Sequence, residues 1–317
     1  MEKLKQQFLE ASDALELGNP AIIEKDYWVV ALLSDLAEMK PNSHQMVFSG
    51  GTALAKSNVK ILRMSEDVDI KLIPKPAFDE LSRAKKKAAR KVCIKEVEQV
   101  ITRSERFTVE SRIVRDEYRY VELELRYPQQ FSQAPCLRPI IKLELMETIP
   151  LLDVEARSIQ SLVSELYKQP QEVEVFDCVS THATLVEKVI SMLRRTMSVK
   201  RNAQRKDDAT LVRHIYDVYC ILKAEELTDH LVLKTLTPLF KTVLEEDVER
   251  FGNQHAEFVS HPKQELQLGL KELEENPVFR QRFQDFVTPM VFNTEPHDFD
   301  TCFVSFKHVA ESLIKTI

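Results

Sequence analysis

The stretch Phe48-Ser49-Gly50-Gly51-Thr52-Ala53-Leu54, followed after a short gap by Arg63-Met64-Ser65-Glu66-Asp67-Val68-Asp69-Ile70, decides the reading of this chain. Met46, Val47 and Phe48 form a short apolar run cut off by Ser49-Gly50-Gly51, and Thr52 to Ser57 can start a short helix. The pattern is strand, glycine turn, helix. A second strand follows from Asp67 to Ile73. Side chains alternate along a strand, so Asp67 and Asp69 share one face while Val68 and Ile70 turn to the core. Two carboxylates on one face suit Mg²⁺, which takes one or two protein carboxylates and fills its other positions with water and phosphate oxygens. Upstream, the glycines let the backbone approach a polyanion and present N–H groups to it, and the start of the following helix adds a favourable dipole. The two stretches together predict a site for a magnesium nucleoside triphosphate.

Taken alone, an Asp-x-Asp pair is an exposed strand end; the glycine pair and its spacing turn the reading toward chemistry. A rival lies in Gly50-Gly-Thr-Ala-Leu-Ala55-Lys56-Ser57, which fits the Walker A pattern except that Ala55 replaces the second glycine. No later apolar strand ends in an evident magnesium-binding aspartate, so Lys56 is expected on a helix surface.

Composition narrows the fold. At the usual ~7% glycine a chain this long would carry roughly 22; it carries 5 in 317 residues. Such scarcity predicts a helix-rich protein and excludes sandwiches, barrels and glycine-loop repeats. With 44% apolar and 30% charged residues the chain can bury a sizeable core. A net charge of -6 excludes a uniformly basic nucleic-acid coat and leaves room for local basic clusters. Cys93, Cys136, Cys178, Cys220 and Cys302 form no C-x-x-C pair and read as reduced core thiols. The scattered histidines argue against a zinc enzyme. The charged N-terminal helix pattern lacks the apolar region of a signal peptide, and no window approaches 18 uninterrupted apolar residues, so the expectation is a cytoplasmic chain with no membrane span.

Along the chain, Asn19 and Pro20 open a helix to about Met39 with an apolar side of Ile23, Tyr27, Val30, Leu33 and Leu36. Beyond the Asp67 strand, a long charged helix is expected from Ala77 to Arg103. Strands follow at Phe107 to Val114 and Tyr118 to Tyr127 around Arg115-Asp116-Glu117, then at Pro139 to Met146 and Glu172 to Phe176. From Thr181 the pattern is helical: Ala183 to Met197, Asp208 to Lys223, Thr228 to Arg250, and shorter pieces. The fold class is therefore α+β: residues 1–178 a mixed-sheet domain with N-terminal helices, residues 179–317 a helical domain.

The ordered set Glu24-Lys-Asp-Tyr-Trp28, Phe48 to Leu54, Arg63-x-Ser-Glu-Asp-x-Asp69, Glu187-Lys188 and Arg213-His-Ile-Tyr-Asp217 resembles the AbiEii-type nucleotidyltransferases, toxins of abortive-infection and toxin–antitoxin systems within the DNA polymerase beta-like superfamily. The resemblance covers about residues 20 to 225. It implies a polymerase-beta-like core whose active site the helical domain completes. Gly50, Gly51 and Thr52 would be the phosphate loop, Asp67 and Asp69 the metal ligands, with Ser65 and Arg63 in support. Glu144 is the choice for a third carboxylate, with Glu122 and Glu124 as rivals. Lys188 would stand near the triphosphate with Arg195 close by, and Asp217 would position Lys188 or water. The implied reaction moves a nucleoside monophosphate from an NTP to a hydroxyl with two Mg²⁺ ions, the acceptor being RNA, plausibly the 3′ end of tRNA, and a cognate antitoxin is the implied partner. A small-molecule transferase of the aminoglycoside-modifying kind, and an inactive nucleotide-binding module, are the alternatives.

Two basic clusters could serve an RNA. Arg83 to Lys95 lies on a helix with Glu80, Glu96 and Glu98 nearby and reads first as a solvated face. Arg194, Arg195, Lys200, Arg201, Arg205 and Lys206 lie between the two helical motifs and are the preferred acceptor surface. His214 is expected only to hydrogen-bond within its motif, and Tyr27 and Trp28 to brace their helix against the sheet.

Overall fold

The computed structural model describes residues 2–59, 61–132, 137–149, 153–225, 232–252, 255–291 and 297–317. After a first helix α1 (Glu2–Ala14), the helix expected at Asn19 forms as α2 (Pro20–Ala37). Asn19 Oδ1 accepts the Ala21 N–H at 2.9 Å, and Pro20 fits a position whose N–H would have no helical partner. A single apolar side was too narrow an expectation: Ala21, Ile22, Val29 and Leu32 are buried as well as Ile23, Val30, Leu33 and Leu36. The cause is cover on several sides, from α1, from the sheet and from two further helices introduced below.

The chain divides into two compact units. One comprises Met1–Ser57, Met64–Pro150 and Val154–Val179; the other comprises Asn58–Arg63, Leu151–Asp153 and Ser180–Ile317. The first is built on a mixed sheet of β1 (His44–Ser49), β2 (Asp67–Pro74), β3 (Thr108–Arg115), β4 (Tyr120–Arg126), β5 (Ile141–Glu147), β6 (Val154–Ile159) and β7 (Val173–Val179). The spatial order is β3-β4-β5-β2-β1-β7-β6, with β1/β7 and β2/β5 parallel and the other pairs antiparallel. Alternation gives the central strands one apolar face: Val68, Ile70, Val121, Leu123, Leu143 and Leu145 are all at most 1% exposed. Trp28 packs edge-on to Phe107 and near Tyr127, bracing α2 on the sheet, whereas Tyr27 meets Phe8 of α1.

The helix expected over Ala77 to Arg103 is two: α4 (Pro76–Asp79) and α5 (Arg83–Arg103). Ser82 between them is extended, at φ -62° and ψ 157°, so the second helix starts afresh. Tyr118 belongs to the β3–β4 turn, where Asp116, Glu117 and Tyr118 all have positive φ. Strand β6, at the edge of the sheet beside β7, carries too little apolar alternation to be read from sequence, as does the short α6 (Leu162–Leu166). Glu172 precedes β7 and its carboxylate accepts from Ser161 and Ser164.

In the second unit Ser180 caps α7 (Thr181–Arg201) by accepting the Ala183 N–H at 3.0 Å. The segment expected as one helix from Asp208 splits into a 3-10 turn, Ala209–Val212, and α8 (Arg213–Ala224). A π-helical turn, Val232–Leu236, precedes α9 (Thr237–Phe251); residues 228–231 of the helix expected there lie outside the described residues. Then come α10 (Ala256–Ser260), α11 (Pro262–Glu275), α12 (Val278–Phe286) and α13 (Phe299–Ile314). No described helix is long and apolar enough to cross a membrane.

Cys93, Cys178 and Cys302 are buried, and burial pushes the Cys93 and Cys178 thiols up to about 12, so both stay protonated. Cys220 is only partly buried, which departs from the core position expected of it; Cys136 lies outside the described residues.

Helix α11 comes so close to α7 that a Cβ on Gly269 would lie 2.6 Å from the Leu193 carbonyl oxygen. A backbone atom cannot move aside without shifting the helix. Gly269→Ala should therefore destabilise the protein by about 1–3 kcal/mol, read as a lower midpoint in chemical denaturation.

Candidate active site

The antiparallel register of β1 and β2 sets Ser49 opposite Asp69, and Ser49 Oγ donates to the Asp69 carbonyl at 3.1 Å. The chain then turns at Gly50, with φ +78°, into the short helix α3 (Gly50–Ala55). A Cβ on Gly50 would sit 1.9 Å from Asp69 Oδ2, so glycine is required twice, by the backbone angle and by the carboxylate beside it. Thr52 is buried, and its hydroxyl donates to the Asp67 carbonyl while Ser65 Oγ lies 3.0 Å away. Thr52 thus ties α3 to the start of β2.

Asp67 and Asp69 do share a face of β2, with Val68 and Ile70 in the core. Arg138 Nη2 lies 2.8 Å from each Asp67 oxygen and donates to Oδ2, while Oδ1 receives no hydrogen bond. Burial dominates the Asp67 environment and raises its carboxyl above the usual range, against the pull of Arg138. Such a group gains from a further cation. The glycine cradle around Asp69 and the unbonded oxygen of Asp67 both fit a hard divalent ion held by these two carboxylates.

Behind Asp67 stands a network that the sequence reading passed over. Lys25, fully buried in α2, pairs with Glu66 and donates to the Arg138 carbonyl at 2.7 Å. Arg138 returns its Nε and its backbone N–H to Glu66, each at 2.9 Å. Burial alone would raise Glu66; Lys25 and Arg138 overcome it and hold the carboxyl low. Glu24 accepts the N–H groups of Gln130 and Phe131, and Asp26 accepts from Leu162 and from Lys56. Lys56 is therefore not the helix-surface residue expected: its side chain is 9% exposed, with its ammonium committed to Asp26 and the Gln160 carbonyl. The available signal was Glu-Lys-Asp inside an otherwise apolar helix, since three charges rarely go inside unless each is paired.

Across the sheet Asp69 pairs with Glu144 and Glu144 with Glu122, so these acids share one row, and Asp67 pairs with Lys142 and Lys142 with Glu124 in the next. Lys142 ion-pairs with both Glu122 and Glu144, and Glu124 accepts from Ser111. Among the described residues no three His, Cys, Asp or Glu side chains converge as a metal-holding group. Of the three candidate acids, Glu144 is the one in direct register with Asp69.

In the second unit Asp217, on α8, is 0% exposed. Arg63 grips both its oxygens at 2.7 Å through Nε and Nη2, and Lys188 Nζ of α7 lies 2.7 Å from Oδ2. Two cations overcome the burial penalty and hold this carboxyl far below its usual range. Tyr216, beside it, donates to the Ile61 carbonyl at 2.9 Å and so anchors the segment carrying Arg63. His214 is held neutral by burial and by Lys188 and Arg195. Arg195 itself is partly exposed and pairs with Asp208 at 2.8 Å.

The basic cluster around Arg195 is largely neutralised. Arg194 is buried, pairs with Asp247 at 2.7 Å and lies 3.8 Å over the Phe251 ring, so it is a core residue and not part of a surface. Lys200 pairs with Glu272 and Arg201 with Glu265, and Arg205 donates to Ser198. Arg195 and Lys206 line a cavity that also contains Asp207, Asp208 and Glu272.

Asp217 and Asp67 should respond to pH in opposite senses. The unfolded chain takes up the Asp217 proton first as pH falls through about 4, so its stabilisation is full above that and fades with further acid. Asp217→Asn should cost about 3–5 kcal/mol at pH 7, with the gap to wild type shrinking below about pH 4 in denaturant titrations. The raised carboxyl of Asp67 makes its charge unfavourable near neutrality and harmless below about pH 4. Asp67→Asn should keep or raise the melting temperature at pH 7, an advantage that disappears in acid.

No functionally curated protein matches the chain. Among solved structures, the nucleotidyltransferase toxin MenT4 from Mycobacterium tuberculosis H37Rv is similar at 19% identity and a TM-score of 0.43, over 71% of this chain and 76% of that one. A family model described as the nucleotidyl transferase AbiEii toxin of type IV toxin–antitoxin systems matches residues 31–305. The chain belongs to the AbiEii nucleotidyltransferase toxin family.

Proposed function

We propose that this toxin transfers a nucleoside monophosphate from an NTP to a hydroxyl of an RNA, the 3′ end of tRNA being the preferred acceptor, with Mg²⁺ held by Asp67 and Asp69. The observation that carries the metal assignment is the pressing of the Asp69 carboxylate against Gly50, with Asp67 on the same strand face. Magnesium bound there would stabilise charge on the attacking and leaving oxygens of an in-line displacement. Gly50 and Gly51 lend backbone N–H groups to phosphate. Ser65, beside Thr52, keeps the role of supporting that loop.

Lys188 and Arg195 are assigned to the triphosphate, and Asp217 to orienting Lys188. The buried contact between Asp217 and Lys188 supports positioning over the alternative of holding a water. Arg63 holds both oxygens of Asp217 and acts through it. Glu144 is retained as the third carboxylate on its register to Asp69, which Lys142 must release when a cation binds. Work in the cytoplasm beside a cognate antitoxin completes this reading.

The test is incubation of purified protein with each labelled NTP, Mg²⁺ and either total RNA or small acceptors. Label should enter RNA, and Asp69→Asn and Gly50→Ala should each lower incorporation at least a hundredfold. Label entering only an aminoglycoside or another small acceptor would replace this reading with the small-molecule one. Retained Mg-NTP binding without any transfer would leave a nucleotide-binding module.

A further inference from the structure

We propose that the solvent face of α5 docks the phosphate backbone of the RNA acceptor, an assignment that rests on the RNA reading above for the identity of its ligand. In a chain of net charge -6, every charged residue from Arg83 to Lys95 is a cation. The buried side of α5 is Cys93, Ile94, Val97 and Ile101, with Arg90 committed to Glu147 at 2.7 Å. Lys85, Lys87, Lys91 and Lys95 are exposed, and among the described residues none of them is within ion-pairing distance of a carboxylate.

Spacing suits an extended polyanion. Lys87, Lys91 and Lys95 recur every fourth residue, about 6 Å per step along the axis, and Lys85 stands on the other flank of the solvent face. Ala84 and Ala88, also exposed, lie between the lysines and leave room for a strand to approach closely. A membrane-surface helix needs an outward face of large apolar side chains beside its cations; those of α5 are spent on the core, leaving Val92 as the large apolar side chain exposed in that stretch beside Ala84 and Ala88. The cluster from Arg194 to Lys206 was the expected acceptor surface, yet its members are mostly paired with acids, whereas on α5 Arg83 and Lys86 pair with Glu117 and Asp79 and the other four lysines do not. Unpaired cations are the ones that gain from releasing the counterions of a nucleic acid.

The experiment compares the full chain with a Lys85→Gln/Lys91→Gln/Lys95→Gln variant in binding to tRNA from about 50 to 200 mM salt, and in parallel to phosphatidylserine vesicles. These residues are exposed, so the variant should melt with the wild type. Its tRNA affinity should fall about tenfold or more, and the slope of log affinity against log salt should shrink by about two to three. Unchanged affinity and slope would overturn the proposal, as would a wild type that does not bind tRNA at low salt. A loss confined to phosphatidylserine vesicles would overturn it too. Stripe-dependent tRNA binding without label transfer would instead sink the transferase reading and leave the docking face standing.

Discussion

The contact between the Gly50 backbone and the Asp69 carboxylate is the constraint on which the strand-turn-helix of the first unit depends. Two strands must run antiparallel in a fixed register for it to form, since a slip of one residue would turn both aspartates into the apolar core. The glycine must adopt a positive φ and carry no Cβ. Thr52 then locks the ensuing helix to the start of β2, so the turn and the acids are held as one piece.

Charge inside the protein is handled by saturation. Lys25 with Glu66, Asp26 with Lys56, and Asp217 with Arg63 and Lys188 are buried and multiply bonded, and the partly exposed Arg138 joins Glu66. Buried ion pairs add little net stability, but removing one partner leaves a costly orphan. They fix geometry: Arg138 is oriented by Glu66 before it meets Asp67, and Lys188 is oriented by Asp217. Asp67 is the exception, less well satisfied than the others: burial raises its carboxyl and one of its oxygens receives no hydrogen bond.

Much of the fold was legible because it follows local rules. Asn19-Pro20 announces a helix start, the alternation of Ile141-Lys-Leu-Glu-Leu announces a strand, and Gly50-Gly51 stands out in a chain that avoids glycine. Where the reading failed, a tertiary partner decided. Lys56 looked like a surface lysine because nothing near it in sequence reveals Asp26, thirty residues away. Arg194 looked like part of a basic surface because Asp247 and Phe251 belong to another helix. Strand β6 exists because β7 offers it an edge, not because its own pattern demands it.

By itself, the sequence determined the α+β class, the strand-turn-helix bearing the glycines, the shared face of Asp67 and Asp69, and the family, since periodicity and motif spacing are properties of the chain's own order. Only the tertiary structure decided which charges are spent and which remain available. It paired Lys142 with Glu144, gave both oxygens of Asp217 to Arg63 and Lys188, neutralised the cations near Arg195, and left Lys85, Lys87, Lys91 and Lys95 of α5 facing water. The physical reason is range. A carboxylate captures whichever cation folding brings within about 4 Å, and that neighbour is set by packing between elements distant in sequence.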